Sequence, residues 1–343
     1  MPQPITIIHS RAPIRICDCG GWTDTWFAEY GSVLNIAVAP YAEARIEVFA
    51  ASDVEHRVVI RAENFGDEYP LTEQTRAKRR HPLLETAIDH MPVPDNVAVR
   101  ATVFSEAPAG ASTGTSAAVL VALIGALDRL TPGRMTPHET AMTAHHVEHN
   151  LLGWQCGIQD QLCSAYGGVN YIEMDRFPHA TVAQLRLPEK TARELERRLI
   201  LVYLGSSHSS SGVHEKVIRE LEGAGPDCAK LEDLRQAAAQ ARDALAAGDL
   251  EAFGRAMKDN TAAQGRLHPD IIGADARRVI QVAEAEGASG WKLNGAGGEG
   301  GSVTILCGEF PGMKEALIGK IQENMPGATI IPIHLCGKGL QFS

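Results

Sequence analysis

Between Thr115 and Leu130 the chain reads TSAAVLVALIGALDRL, apolar on nearly every face for most of its length. A helix without a polar side is stable only where other elements cover it from all directions. The stretch therefore predicts a central buried helix with a layered fold around it. The residues before it add a chemical clue. Pro108-Ala109-Gly110-Ala111-Ser112-Thr113-Gly114 is a loop of small residues that runs straight into the helix start at Thr115 and Ser116. Small residues let backbone approach a ligand closely. The free N–H groups of a first helical turn, with the positive end of the helix dipole, favour an anion. Thr115 and Ser116 add hydroxyls suited to phosphate oxygen or Mg²⁺. On the loop alone two readings stay open, a phosphate cradle and an ordinary cap or turn built from the same residue types. A Walker loop is excluded, because no Gly-Lys-Ser/Thr follows.

The 343 residues allow one large or two ordinary domains, and the 44% hydrophobic content suffices for a substantial core. A formal net charge of −10 argues against a nucleic-acid partner. The seven cysteines are irregularly spaced and form no C-x-x-C pair, so neither a disulfide scaffold nor a cysteine zinc site is expected. The N-terminus lacks the basic start and apolar stretch of a signal peptide, and no segment is long and apolar enough to span a bilayer. A cytoplasmic protein with no membrane partner is the expectation; a homo-oligomer is compatible with it.

Alternation over Ala42–Phe49 predicts a strand, with further strands over Val58–Ile60, Val97–Phe104, Val169–Met174, Leu199–Leu204, Ser302–Cys307 and Ala328–Leu335. Helices are expected over His81–Met91, Pro137–Leu152, Gln159–Tyr166, Val213–Leu221, Leu231–Ala247, Leu250–Gly265, Ala274–Glu286 and Met313–Asn324. Mixed segments of this kind predict an α/β (α+β) protein. A composition shift at Phe177-Pro178 suggests domains over 1–180 and 181–343.

Two more segments are rich in small residues. Lys292-Leu293-Asn294-Gly295-Ala296-Gly297-Gly298-Glu299-Gly300-Gly301 contains a literal G-x-G-x-x-G. A dinucleotide fingerprint follows a strand and opens a helix, whereas a strand follows here, so a backbone nest beside a ligand or a glycine-rich hairpin is expected instead. Near the start, Ala12-Pro13-Ile14-Arg15 leads to Gly20-Gly21-Trp22-Thr23-Asp24. Arg15 offers a fixed positive charge and Asp24 an acceptor for ligand hydroxyls. Trp22 offers a flat apolar face or is simply core.

Together, in this order and over nearly the whole chain, the three segments resemble the three signatures of the GHMP kinase superfamily. The first resembles its A-P-x-R…G-G…T-D substrate segment, the second its P-x-x-x-G-x-G-S-S-A-A phosphate loop, the third its K-x-x-G-A-G-G-G-G loop. The sugar 1-kinase branch is the nearest match, heptose 7-phosphate kinases and fucokinase-like enzymes above all, and the match extends to Gly157-Ile158-Gln159-Asp160-Gln161. The resemblance implies an S5-like N-terminal domain, a ferredoxin-like C-terminal domain, and ATP and Mg²⁺ as cofactors. It assigns nucleotide binding to Pro108, Gly110, Ala111, Ser112, Thr113, Gly114, Thr115 and Ser116. Ser116 and Glu148 would hold the metal. Asp160 would take the proton of the attacking sugar hydroxyl, with Arg15 beside it. Gly20, Gly21, Trp22, Thr23, Asp24, Ser206, Ser209, Asn294, Gly297 and Gly298 would surround the substrate. That substrate is expected to be D-glycero-D-manno-heptose 7-phosphate, with L-fucose or another free sugar as the alternative.

Two departures stand out. Ser112-Thr113 replaces the usual Gly-Leu, and Glu299 replaces a glycine, so its carboxylate should point away from any phosphate. Competing readings are a non-catalytic sugar or nucleotide sensor, an isoprenoid kinase, and a zinc metallopeptidase. The last is suggested by H-x-x-E-H in His145-His146-Val147-Glu148-His149, which lacks an identifiable third ligand.

Overall fold

The computed structural model describes residues 2–91, 93–205 and 211–343. The expected substrate residues Ser206 and Ser209 lie outside the described residues.

The chain opens with two long strands, β1 (Thr6–Cys19) and β2 (Gly31–Ala50). The predicted strand over Ala42–Phe49 is thus the far half of a longer one. β3 (Val58–Ala62), β4 (Asp67–Pro70), α1 (Glu73–Lys78), α2 (Pro82–His90) and β5 (Val97–Ser105) follow. Then come α3 (Thr115–Asp128), α4 (Pro137–His145) with a π-helical continuation over His146–Leu151, and α5 (Gln159–Tyr166). β6 (Val169–Arg176) and β7 (His179–Leu185) form a hairpin. The rest of the chain is α6 (Glu189–Arg198), β8 (Leu199–Tyr203), α7 (Ser211–Ala224), α8 (Ala229–Ala247), α9 (Leu250–Leu267) and α10 (Ala274–Ala285). It ends with β9 (Gly290–Leu293), β10 (Ser302–Leu306), α11 (Met313–Asn324), β11 (Thr329–Ile331), β12 (His334–Leu335) and β13 (Gln341–Phe342).

Two sheets result. One runs β13-β1-β2-β5-β3-β4, with β6 and β12 also paired to β2 and β7 paired to β6, and is mixed because β3 pairs β5 in parallel. The other is antiparallel in the order β11-β8-β10-β9. β2 carries β5 on its second half and β6 on its first, which is why it must be long.

The apolar run does what its composition requires. α3 packs on β1 and β2 and is flanked by α4 and α5, and Leu120, Val121, Leu123 and Ile124 are fully buried. Truncating such a side chain to alanine costs about 2–5 kcal/mol. A second core gathers Val202, Phe27, Trp22, Ile305 and Leu317, so the segment after β1 plugs into the layer formed by the later half of the chain.

The strand expected over Ala328–Leu335 divides in two. Ile331 pairs β8 in the second sheet, while His334 and Leu335 pair β2 in the first. Pro332 lies between and cannot donate to a ladder, so the chain changes sheets there. The helix expected over Pro137–Leu152 changes to π-helical geometry at His146, a distortion that recurs at functional sites.

Candidate active site

β1 supplies the centre of the site through a distortion. Arg15 and Asp18 are three residues apart, which on a regular strand puts them on opposite faces. In β1 the pairing runs Ile16↔Ile36 then Cys19↔Leu34, three steps against two, and Cys17 adopts φ +56°. This bulge turns both charged side chains to one side and brings Arg15 Nη2 to 4.0 Å from Asp18 Oδ2.

Arg15 then meets α5. Its Nε donates to Asp160 Oδ1 at 2.7 Å and its Nη2 to Asp160 Oδ2 at 3.2 Å, a fork-to-carboxylate pair. Nη1 donates to the Ser112 carbonyl. Burial alone pulls the guanidinium pKa down, but Asp160 and Asp18 outweigh it and hold the pKa up. Arg15 therefore stays charged while tying β1, the 108–116 loop and α5 together.

Two cavities meet at that pair. The larger, about 1160 Å³, is lined by every residue from Ser105 to Ser116, so all the expected nucleotide-binding positions border it. The smaller, about 320 Å³, is lined by Trp22, Asp24, Cys156, Gln159, His214 and others. Arg15, Asp160, Gly295 and Ala296 line both.

The loop ends at Gly114, which starts α3 with φ +68° and no side-chain cap. The first-turn N–H groups of α3 are thus left open to an anion. A Cβ at Gly114 would lie 3.2 Å from Asp160 Cγ. Ser112 occupies the left-handed region at φ +54°, where glycine is the comfortable residue, and its side chain packs toward Gly295 and Gly301.

The two expected metal ligands come together. Glu148, on the π-helical turn, is buried and accepts from Gln161 Nε2, and the Ser116 hydroxyl is near enough to help lower its pKa. Burial, reinforced by the Asp160 charge, pushes its pKa up to about 7 against the hydrogen bonds from Gln161 and Ser116. A buried carboxylate beside a hydroxyl is an oxygen donor set of the kind Mg²⁺ takes. A cation there would relieve the charge that burial penalises.

The first glycine segment separates into wall and scaffold. Trp22 and Asp24 border the small cavity. Asp24 is buried, accepts from the Gln159 N–H at 3.1 Å, and so holds the first turn of α5 where Asp160 sits. Burial raises its pKa to about 6. Trp22 has φ +80°, and its buried Nε1 has no partner among the described residues. Gly20, Gly21 and Thr23, expected around the substrate, line neither cavity. Gly20 lies against Ser32, where a Cβ would be 2.1 Å from the carbonyl oxygen, and the Thr23 hydroxyl donates to the Gly20 carbonyl at 2.8 Å.

The 292–301 loop departs from expectation in the same way. Asn294, Gly297 and Gly298 line neither cavity. Asn294 is fully buried and accepts from the Cys17 N–H at 3.1 Å while its Nδ2 donates to Ser302 and Thr304. Gly298 N–H donates to the Ile271 carbonyl at 2.7 Å, and His214 Nε2 donates to the Gly297 carbonyl at 2.9 Å. Their conformations let the loop pack on its own protein. Glu299 is exposed and lies beside Gly273, clear of both cavities.

The sequence reading missed the brace behind this loop. Asp18 is fully buried, takes Lys292 Nζ at 3.1 Å, and accepts the Gly295 N–H at 2.9 Å. Lys292 is also fully buried and donates to Gln264 Oε1 at 3.0 Å. Nothing in the spacing of Arg15, Asp18 and Lys292 announces this, because it depends on the bulge in β1.

The peptidase arrangement is absent from the described residues. His145 and His149 do stack, but Glu148 is buried and engaged by Gln161 and supplies no base beside them.

Comparison with known proteins agrees with this anatomy. Residues 82–168 match the GHMP kinases N terminal domain and 241–324 the GHMP kinases C terminal region. A mevalonate kinase of Methanothermobacter thermautotrophicus is 33% identical, over 64% of this chain and 67% of its own length. The bifunctional fucokinase/GDP-fucose pyrophosphorylase of Arabidopsis thaliana is 26% identical over 88% of this chain, but the match spans only 30% of that longer protein. A D-glycero-D-manno-heptose 1-phosphate kinase from Bacteriodes thetaiotaomicron has the same fold, with TM-score 0.75 at 21% identity and 98% of each chain covered. Among the described residues no helix is long and apolar enough to cross a membrane.

Proposed function

Because this chain belongs to the GHMP kinase family, we propose that it transfers the terminal phosphoryl group of ATP to the anomeric hydroxyl of a sugar. The observation that carries this reading is the junction of the two cavities at Arg15 and Asp160. The large one has room for a nucleotide along the 108–116 loop, and the small one has room for a single sugar. A carboxylate at the junction stands where the proton of an attacking hydroxyl must go.

In this mechanism the open N–H groups at the start of α3 and the backbone of the loop hold the phosphates. Ser116 and Glu148 hold Mg²⁺, which when bound neutralises phosphate charge. Asp160 accepts the hydroxyl proton, and Arg15 fixes its carboxylate and adds positive charge near the transferring group. Asp24 orients α5 and, with Trp22, faces the sugar. Positioning and charge stabilisation account for most of the catalysis expected of phosphoryl transfer.

D-glycero-D-manno-heptose 7-phosphate is the first candidate acceptor. One observation favours a free sugar such as L-fucose instead. Among the described residues the only basic side chains on the small cavity are Arg15, already paired with Asp160, and His214, which donates to the Gly297 carbonyl, so no free cation stands beside the carboxylates of Asp24 and Glu215. Such a lining repels a second phosphate. A panel of free and phosphorylated sugars with Mg-ATP, read by ADP release, separates the two. ADP release dependent on a sugar supports the kinase; none with any sugar, despite ATP binding, would favour the sensor reading.

A further inference from the structure

The connection between the π-helical turn and α5 brings a thiol against two imidazoles. His145 ends α4, His149 lies four residues on, and Cys156 sits on the chain leading into α5. One ligand-capable atom from each lies within 4.8 Å of the other two. The two imidazoles stack at 13° with centroids 5.2 Å apart, and the Phe177 ring stands edge-on to both. None of the three residues has a part in the phosphoryl transfer described above. We propose that His145, His149 and Cys156 form a binding site for one zinc-class divalent cation, separate from the Mg²⁺ ligands Ser116 and Glu148.

Two observations point to a ligand there. His149 Nδ1 lies 3.3 Å from the Trp154 carbonyl oxygen. A carbonyl only accepts, so Nδ1 carries the hydrogen and Nε2 is left with its lone pair. Metal-binding imidazoles are oriented by such a bond from the far nitrogen. His145, only 2% exposed, has a fully buried Nε2 with no hydrogen-bond partner among the described residues. A buried nitrogen without a partner is costly, and a cation would complete it.

The donor chemistry selects the ion. Two imidazoles and a thiolate suit zinc, whereas Mg²⁺ takes oxygen. On binding, the Cys156 thiol releases one proton to solvent and its sulfur enters the cation's coordination shell. Zinc sits about 2.0–2.3 Å from such ligands, so the three atoms must draw closer together. The connection has open space for such an adjustment at Gly153, φ +69°, where an added Cβ would meet nothing within 4 Å. Occupancy fastens the small-cavity wall at Cys156 to the helical turn that carries Glu148. The site binds and braces; it has no base for hydrolysis, because Glu148 is engaged elsewhere.

Cobalt titration of the chelator-stripped full-length protein tests this. One Co²⁺ per chain should bind with a thiolate-to-cobalt charge-transfer band, displaced by Zn²⁺ and not by Mg²⁺. Cys156→Ser and His149→Ala should each weaken Zn²⁺ binding by more than about 100-fold, since even outer-shell losses cost about 10–100-fold. Cys156→Ser should also remove the band, because serine has no sulfur. Cys228→Ala removes the other partly exposed thiol and should keep it. Circular dichroism of the Cys156→Ser protein establishes that it is folded, and a wild-type titration stands on its own if it is not. A wild-type Co²⁺ complex without the band, or a band that survives Cys156→Ser, overturns the proposal.

Discussion

The two glycine-bearing loops look alike in sequence and do different work. Residues 108–116 line the large cavity throughout and leave the start of α3 uncapped. Residues 292–301 present only Gly295 and Ala296 to the cavities, while Asp18 holds Lys292 and the Gly295 N–H, and His214 and the Ile271 carbonyl hold Gly297 and Gly298. Glycine density therefore marks close approach of backbone to something, without saying whether that is a ligand or the protein itself. The first loop is arranged around what it can bind, and the second is a brace that positions one edge of the site.

Charge removal should affect the two sides in opposite directions. Behind the second loop, Asp18→Asn leaves Lys292 buried without its counter-charge. Breaking a buried pair in this way costs about 3–5 kcal/mol, the largest stability loss expected here, and equilibrium denaturation measures it. Beside the first loop, Glu148→Gln should stabilise the unliganded protein. The folded-state pKa of about 7 lies above the ordinary 4.5, so the ionised carboxylate is disfavoured by the fold. Its cost is absent below the unfolded value, grows as pH rises from 4.5 to about 7, and is constant above. The variant should therefore gain about 3 kcal/mol over wild type at pH 8 and nothing at pH 4. The same change should remove the response of turnover to Mg²⁺, and in wild type that response should weaken as pH falls below 7. A destabilised Glu148→Gln protein at pH 8 would contradict the contrast.

A smaller pair of substitutions sharpens it. In Gly297→Ala the new Cβ would lie 2.5 Å from the Ile271 carbonyl oxygen at a backbone φ of +79°. Strain of this kind costs about 1–3 kcal/mol, and it should appear in the denaturation midpoint. In Gly114→Ala the Cβ meets the Asp160 and Arg15 side chains at 3.2–3.3 Å. The left-handed backbone costs that variant about 1–2 kcal/mol. Its larger effect should be on the single-turnover rate, because displacing a catalytic group by about 1 Å can cost about 100-fold. Equal loss of rate in both variants would mean that the second loop is more than a brace.

How much of this was legible in the sequence follows the range of the interactions. The apolar run Thr115–Leu130 required a central helix, and α3 is one. The small-residue loop left a phosphate cradle and an ordinary cap both open, and α3 starts there without a side-chain cap; the resemblance over nearly the whole chain pointed to the family. Arg15, Asp160, Ser116 and Glu148 were named from motifs; Arg15 and Asp160 line both cavities, Ser116 lines the large one, and Glu148 lines neither. The bulge at Cys17, by contrast, depends on how β1 and β2 twist together, and with it went the Asp18–Lys292 brace. Gly20, Thr23 and Asn294 sat inside matched motifs, but their groups are used by neighbouring backbone and side chains. Pattern reading locates a loop. It does not tell which atoms of the loop face outward, because that is decided by partners far away in sequence.

The account stands on Asp160 as the proton acceptor between the two cavities. The direct measurement is turnover and Mg-ATP binding of Asp160→Asn with a sugar that the wild-type protein phosphorylates. The account predicts nucleotide affinity within about twofold of wild type and turnover lower by at least about 100-fold, as loss of a general base requires. Turnover within about tenfold of wild type, with binding intact, would contradict it.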